Sequence, residues 1–256
     1  MIFGRAIEHI RKQHWTGVFI ELVIVVLGVF IGLQVQDWNQ ARQDRALEHQ
    51  YLERLHEDVG ESIEQANRNI AFMKLQIRLE SLMVDRLGKC RLEGNDRAMF
   101  AGGIALIGEL NPTPLARGTI DELRSTGRMG LIRSIQLRRE ISTVVTAQEH
   151  DREILGYVIA RVTPHADYVD ARAIRHLPDG QWRALYRNIG KDGIPPKFIT
   201  FDFDALCRDP LYAGAVSSVA SLTRTVIIGN QLRLADYRTL EKMLDAALGR
   251  STEPGK

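Results

Sequence analysis

No proline precedes Pro112, and no glycine lies between Gly32 and Gly60. Those two residues interrupt helices most strongly, so their absence removes the usual reasons for a break in the first third of the chain. Cysteine is nearly absent too. Cys90 and Cys207 are far apart in sequence and exclude both a zinc cluster and a disulfide-dense scaffold. They leave two options: a pair of buried thiols, or a single bridge in an oxidising compartment. Net charge is missing as well. The 34 basic and 32 acidic residues are well mixed and sum to +2, without the clustered basic face that nucleic-acid binding requires. No nucleic-acid partner is expected. What remains is 256 residues with 45% hydrophobic and 26% charged side chains, an ordinary globular balance sufficient for one or two domains.

One stretch departs from that balance. From Gly17 to Val35 only Glu21 and Gln34 are strongly polar. At about 1.5 Å per residue this run spans roughly 28 Å, close to the hydrocarbon thickness of a bilayer. Trp15 and Trp38 flank it as interfacial anchors. The run is long for a signal peptide, and no small-residue cleavage site precedes Gln34, Gln36 and Asp37, so an uncleaved transmembrane helix over 16–36 is expected. Arg5, Arg11 and Lys12 before it, against Arg42 and Arg45 among three acids after it, favour a cytoplasmic N-terminus by a narrow margin. With a bacterial source the bulk of the chain is then periplasmic.

Glu21 lies about 9 Å beyond Trp15 along the helix. An ionised carboxylate at that depth is costly unless paired, hydrated or protonated. Helical spacing puts Gly17, Glu21, Val25, Gly28, Gly32 and Val35 on one face. Gly28-x-x-x-Gly32 is the spacing that lets two membrane helices approach backbone to backbone. Two readings stay open: a helix–helix interface built from Gly17, Glu21, Gly28 and Gly32, or a glutamate that reaches headgroup water beside two ordinary glycines.

Beyond the membrane segment, Leu52, Leu55, Val59, Ile63, Ala66, Ile70, Met73 and Ile77 recur at steps of three and four. They predict one helix from Asn39 to about Leu87, continuous with the membrane helix. A turn is expected at 88–96, a short buried helix at 97–110, and a break at "NPTP", 111–114. A helix over 118–132 has Thr119 as its candidate cap. A long amphipathic helix covers 134–162, bends at Pro164 and continues through 165–174. Residues 176–208 form a glycine- and proline-rich excursion with one short strand in "KFITFDFDAL". The last helix starts at Asp209 or Pro210 and runs to Leu248. The expected fold class is all-α: an N-terminal transmembrane helix continuing into a long helix, and an up-and-down helical bundle with one irregular excursion. Its divisions are a cytoplasmic head at 1–15, the membrane helix at 16–36, an extracytoplasmic domain at 37–248 and a disordered tail at 249–256.

Chemistry-bearing residues are present without a convincing constellation. His165, Asp167 and Asp170 read as a solvated face after Pro164, since no second ligand set accompanies them. Asp202 and Asp204 read as caps of the helix that follows. "GKDG", 190–193, lacks the arrangement of a phosphate loop. Ser125-Thr126-Gly127 has neither the context of a nucleophile elbow nor a histidine partner. Arg124, Arg128, Arg133, Arg138 and Arg139 form a local basic patch, a solvated face or a site for an acidic partner. No catalytic residue, metal site or cofactor is expected.

"GVFIGLQVQDWNQAR", 28–42, preceded by Glu21, resembles the N-terminal signature of an uncharacterised family of bacterial single-pass inner-membrane proteins. "TIDELRSTGRMGLIRSIQLRREI", 119–141, is similar to that family's second block. The matching positions are Glu21, Gly28, Leu33, Gln34, Trp38, Asn39, Leu123, Ser125, Gly127, Leu131, Ile132, Leu137 and Arg138, while Arg133 stands where some members carry asparagine. The resemblance implies a single anchor and a helical extracytoplasmic domain, and brings no activity. Together these readings favour a membrane-anchored, non-enzymatic interaction or scaffold protein, acting as a homo-oligomer or an accessory subunit of a membrane complex. The alternatives are a proton- or ion-coupled, stator-like subunit using Glu21, and a sensory ectodomain signalling through a partner. An enzyme remains only if the 176–208 region holds a site.

Overall fold

A computed structural model of the chain describes residues 15–176, 194 and 198–250, with backbone alone for residues 15–18. The protein is all-α: six α-helices, one 3-10 turn and a two-stranded ribbon make up its regular structure among the described residues. Helix α1 spans Trp15–Lys89 without interruption, as the lack of proline and the glycine-free stretch from 33 to 59 allow. Then come α2, Asp96–Leu106, α3, Gly118–Ser125, and the 3-10 turn Arg128–Leu131. Helix α4 is Ile135–Asp170. Strands β1, Ala173–Arg175, and β2, Ile199–Phe201, pair antiparallel. Helices α5, Phe203–Arg208, and α6, Pro210–Leu248, complete the chain.

The chain divides into two compact units, 1–51 and 52–256. In the first, every described residue from Phe19 to Gln43 is exposed. The second holds the core. Its three long helices are the later part of α1, α4 and α6. Contacts pair Glu80 with Thr223, Met73 with Asn230 and His56 with Asp245, so α6 runs antiparallel to α1. Asp151 meets Arg233 and Tyr168 meets Asp209, so α6 is antiparallel to α4 as well. The bundle therefore turns back at α4–α6, whereas α1 and α4 point the same way. Segment 90–134 makes the return journey between them. Its polypeptide descends α1 in order: Pro112 meets Asn69, Ala116 meets Ser62, Thr119 meets Asp58 and Glu122 meets Arg54.

The main apolar cluster joins Leu79, Met83 and Leu87 of α1 to Phe100 and Ile104 of α2, Val158 and Val162 of α4, and Val216 and Val219 of α6. Gly103 makes this packing possible. A Cβ there would lie 2.3 Å from Met83 Sδ, so α2 lies close over the buried Met83 side chain, which any larger residue at 103 would have to displace.

Several local expectations are corrected. Thr119 does not cap α3. It is buried within the helix, and Arg117 holds the cap position without a side-chain bond. Helix α4 stops at Asp170, not at residue 174, because Ala173–Arg175 pair with β2. The helix expected over 118–132 ends at Ser125. Gly127, in the left-handed region at φ 68°, precedes the separate 3-10 turn. Ile63 and Ile77 are only half-buried, and Ser62 and Gln76 face the core in their place. Most of the excursion, with "GKDG", and the tail from residue 251 lie outside the described residues, as does the head up to residue 14.

Candidate functional site

Three places concentrate features that a packed core does not need. The first is the apolar half of α1. Glu21 makes no hydrogen bond or ion pair among the described residues. A Cβ built on Gly28 or Gly32 would meet nothing within 4 Å. The helix sets Glu21, Gly28 and Gly32 along one stripe by its periodicity, and that stripe is bare. Beyond their helical backbone, Trp15 and Gly17 lie outside the described set. Trp38 is 66% exposed, and the Arg42 guanidinium lies 6.0 Å from its ring centroid, a cation–π pair at the polar edge of the run. Two helices are long and apolar enough to cross a membrane, α1 and α6. The relevant window of α1 is 0% buried and that of α6 is 44% buried. Helix α6 inserts Tyr212, Val216, Val219 and Tyr237 into the core, which accounts for its apolarity without a bilayer.

The second place is a run of polar residues along the buried face of α1. Ser62, Asn69 and Gln76 recur every seven residues, so they stay on the packing seam. Ser62 Oγ accepts from the Ala116 amide at 2.9 Å, and Asn69 Nδ2 donates to the Pro112 carbonyl at 2.7 Å. Asn230 of α6 completes the clamp. Its Nδ2 donates to the Asn111 carbonyl at 2.8 Å, and its Oδ1 accepts from the Thr113 amide at 3.0 Å. A proline-rich segment with few bonding options of its own is thereby tied to two helices.

Gln76 leads to Glu80, which is fully buried. Gln76 Nε2 donates to Glu80 Oε1 at 3.0 Å, and Thr223 Oγ1 donates to the same oxygen at 3.2 Å. Burial raises the Glu80 carboxyl to about 7, against the opposing pull of Gln76, Thr223 and Arg224. Glu80 Oε2 and Gln76 Oε1 are both buried without a partner among the described residues. Two acceptors facing no donor is the pattern that a neutral acid repairs. Protonation of Glu80 would turn one of its two oxygens from an acceptor into a donor.

The third place is the end of the bundle where α1, α4, α5 and α6 meet. Cys90 and Cys207 are joined in a disulfide with Cα atoms 5.4 Å apart, tying the end of α1 to α5. Asp209 caps α6 by accepting from the Leu211 amide. It also accepts from Tyr168 at 2.9 Å and from Arg172 at 2.9 Å. Desolvation acts to raise the Asp209 carboxyl, yet these hydrogen bonds outweigh it and hold the group below its ordinary value. The Arg172 guanidinium stacks 3.4 Å from the Tyr168 ring centroid. Sequence reasoning missed this clamp, because Tyr168 and Arg172 lie 41 and 37 residues from Asp209.

The remaining candidates are scattered. Asp170 pairs with Arg175, and neither His165 nor Asp167 joins it at a common point. Among the described residues no three His, Cys, Asp or Glu side chains gather as metal ligands. Asp202 accepts from the Ala205 amide as the cap of α5. Ser125 and Thr126 donate their hydroxyls to the Glu122 carbonyl. Of the five arginines, Arg124, Arg138 and Arg139 line a shallow depression with Met129 and Ile135, and Arg138 donates to the Ile132 carbonyl.

The class these features define, among the described residues, is an all-α protein with an uncovered apolar helix segment and a packed helical unit. Comparison with family models, curated proteins and solved structures finds no match to the chain.

Proposed function

We propose that this is a membrane-anchored interaction or scaffold protein without enzymatic activity, working as a homo-oligomer or as an accessory subunit of a membrane complex. The observation that carries the reading is the bare stripe of Glu21, Gly28 and Gly32 on a helix segment with no covered residue from Phe19 to Gln43. Apolar side chains that no part of their own protein covers belong in lipid or against another chain. A carboxylate among them is tolerated best where a partner meets it. In this reading the segment is a single inner-membrane pass with a cytoplasmic N-terminus and a periplasmic bulk. The Cys90–Cys207 bridge supports that side assignment, because such bonds persist in oxidising compartments. The same topology follows from the family that 28–42 and 119–141 resemble.

Cysteine scanning in membranes tests the interface. Val25→Cys lies on the stripe and Phe30→Cys on the opposite face of the helix. Cross-linking between copies, or to one companion, at Val25 and not at Phe30 is the expected result. Equal reaction at both positions, or none at either, removes the interface.

The unpartnered Glu21 favours a second reading, in which the carboxyl carries a proton or ion for a stator-like subunit. Glu21→Gln separates the two: it leaves assembly intact in both, and abolishes ion coupling only in the second. A sensory ectodomain acting through a partner shares the interface and differs in needing a ligand.

A further inference from the structure

Between α4, α6 and the clamped 111–114 segment lies a cleft of about 400 Å³, within the size range of small-molecule sites, roughly 300–1,000 Å³. Its walls are mainly aliphatic: Ile154, Leu155, Val158, Val226, Ile228 and Leu232. Ile228 and Leu232 are 57% and 56% exposed and extend this aliphatic lining to the surface. One wall is held rigidly, since Asn230 and Asn69 fix the 111–114 backbone by hydrogen bonds from two helices. The cleft is thus preformed.

Its polar lining falls into two groups. Asp151 and Asn230 are committed, Asp151 to Arg233 at 3.0 Å and Asn230 to the loop backbone. Gln148 Oε1 and Thr113 Oγ1 are not. Both oxygens are shut off from water and have no hydrogen-bond partner among the described residues, and Thr113 is only 5% exposed. An orphaned buried oxygen costs about 1–3 kcal/mol, and both of these belong to residues that line the same apolar cleft. Gln148 lines the cleft, and its terminal amide turns on a soft torsion, so its oxygen is within reach of an occupant by a side-chain rotation. Arg152, exposed at the rim, makes no hydrogen bond or ion pair among the described residues.

We infer that this cleft binds a small single-chain amphiphile with an uncharged head that both donates and accepts hydrogen bonds, such as a glycerol, alcohol or amide group on an acyl chain. The aliphatic walls take the chain. Gln148 Oε1 accepts from the head, the Thr113 hydroxyl serves either role, and Arg152 donates to a head oxygen. The ligand comes either from the bilayer, as a monoacylglycerol, or from solution, as a shorter water-soluble alcohol of the same design.

The test uses the full chain in nanodiscs and two photoreactive probes: a monoacylglycerol built into the bilayer, and a short-chain alcohol added from solution. Saturable labelling of the 154–158 and 226–232 peptides is expected with at least one probe, and which one identifies the source. Gly229 lines the cleft and a Cβ there meets nothing within 4 Å, so Gly229→Leu fills the space while improving the helix. It is expected to cut labelling about tenfold or more with no loss of thermal stability. Gln148→Leu is expected to remove most of the preference, about tenfold, for a hydroxyl probe over its methyl ether. Labelling by neither probe, labelling that Gly229→Leu leaves unchanged, or labelling confined to 19–35 overturns the assignment.

Discussion

The two parts of α1 are one helix with opposite surroundings. From Phe19 to Gln43 every residue is exposed, and the polar group that matters, Glu21, has no partner among the described residues. From Leu52 onward the helix buries Leu55, Val59, Ala66, Met73, Leu79 and Met83, and most of its buried polar groups are bonded. The contrast shows what composition alone conceals. An apolar residue on the first part is idle within its own chain, whereas on the second it contributes to a core. A polar residue on the second part fixes a specific neighbour: Ser62, Asn69 and Asp58 each hold a named backbone group of the returning segment.

Substitutions break this contrast in a definite order. The largest effect is expected from the Cys90–Cys207 bridge, which closes a loop with a sequence separation of 117. Its loss, as a double serine variant, should cost about 4–5 kcal/mol on the chain-entropy account, read as a lower denaturation midpoint that reductant no longer shifts. Next, Leu55→Ala should cost about 2–5 kcal/mol as a cavity in the core. Leu27→Ala, on the bare segment, should leave the melting of the folded unit unchanged. Equal costs at the two leucines would erase the distinction between the regions.

Glu80 provides a pH signature. A carboxyl that titrates at 4.5 when unfolded and at about 7 when folded binds its proton more tightly in the native state. Its contribution is therefore complete below pH 4.5 and is lost as pH rises to 7. At about 1.4 kcal/mol per unit, that loss is on the order of 3 kcal/mol. Stability measured by denaturant titration should fall across that window, and Glu80→Gln should flatten the fall. A profile unchanged by the substitution would place the proton elsewhere. The smallest cost within the folded unit is expected at Asn230→Ala, about 1–3 kcal/mol, from leaving the Thr113 amide and Asn111 carbonyl unpaired. Faster amide exchange at Thr113 should accompany it.

These results also mark what was readable in the sequence. The step of three and four through Leu52, Leu55 and Val59 made the long helix legible, and the Asp209-Pro210 pair marked the start of α6, because both signals are local. The ribbon was half legible: alternation exposed β2, but β1 was hidden inside an apparent helix, since Ala173–Arg175 become a strand only by pairing with Ile199–Phe201. The polar seam was missed, though a signal existed. Ser62, Asn69 and Gln76 keep a seven-residue interval within an apolar stripe, a pattern that invites partners. Their partners, such as Asn230 for Thr113, lie too far along the chain for spacing to reveal. On the candidate interface, the sequence supplied the residues Glu21, Gly28 and Gly32, and the structure added their bareness.

The most direct test of the account is the mass of the purified full chain in mild detergent, wild type against Gly28→Leu and Gly32→Leu. The account predicts a wild-type species larger than one chain, as an oligomer or with a stoichiometric companion, that falls to a single chain in either variant while the folded unit melts as before. A wild-type protein that runs as a lone chain, or an assembly indifferent to both substitutions, would contradict it.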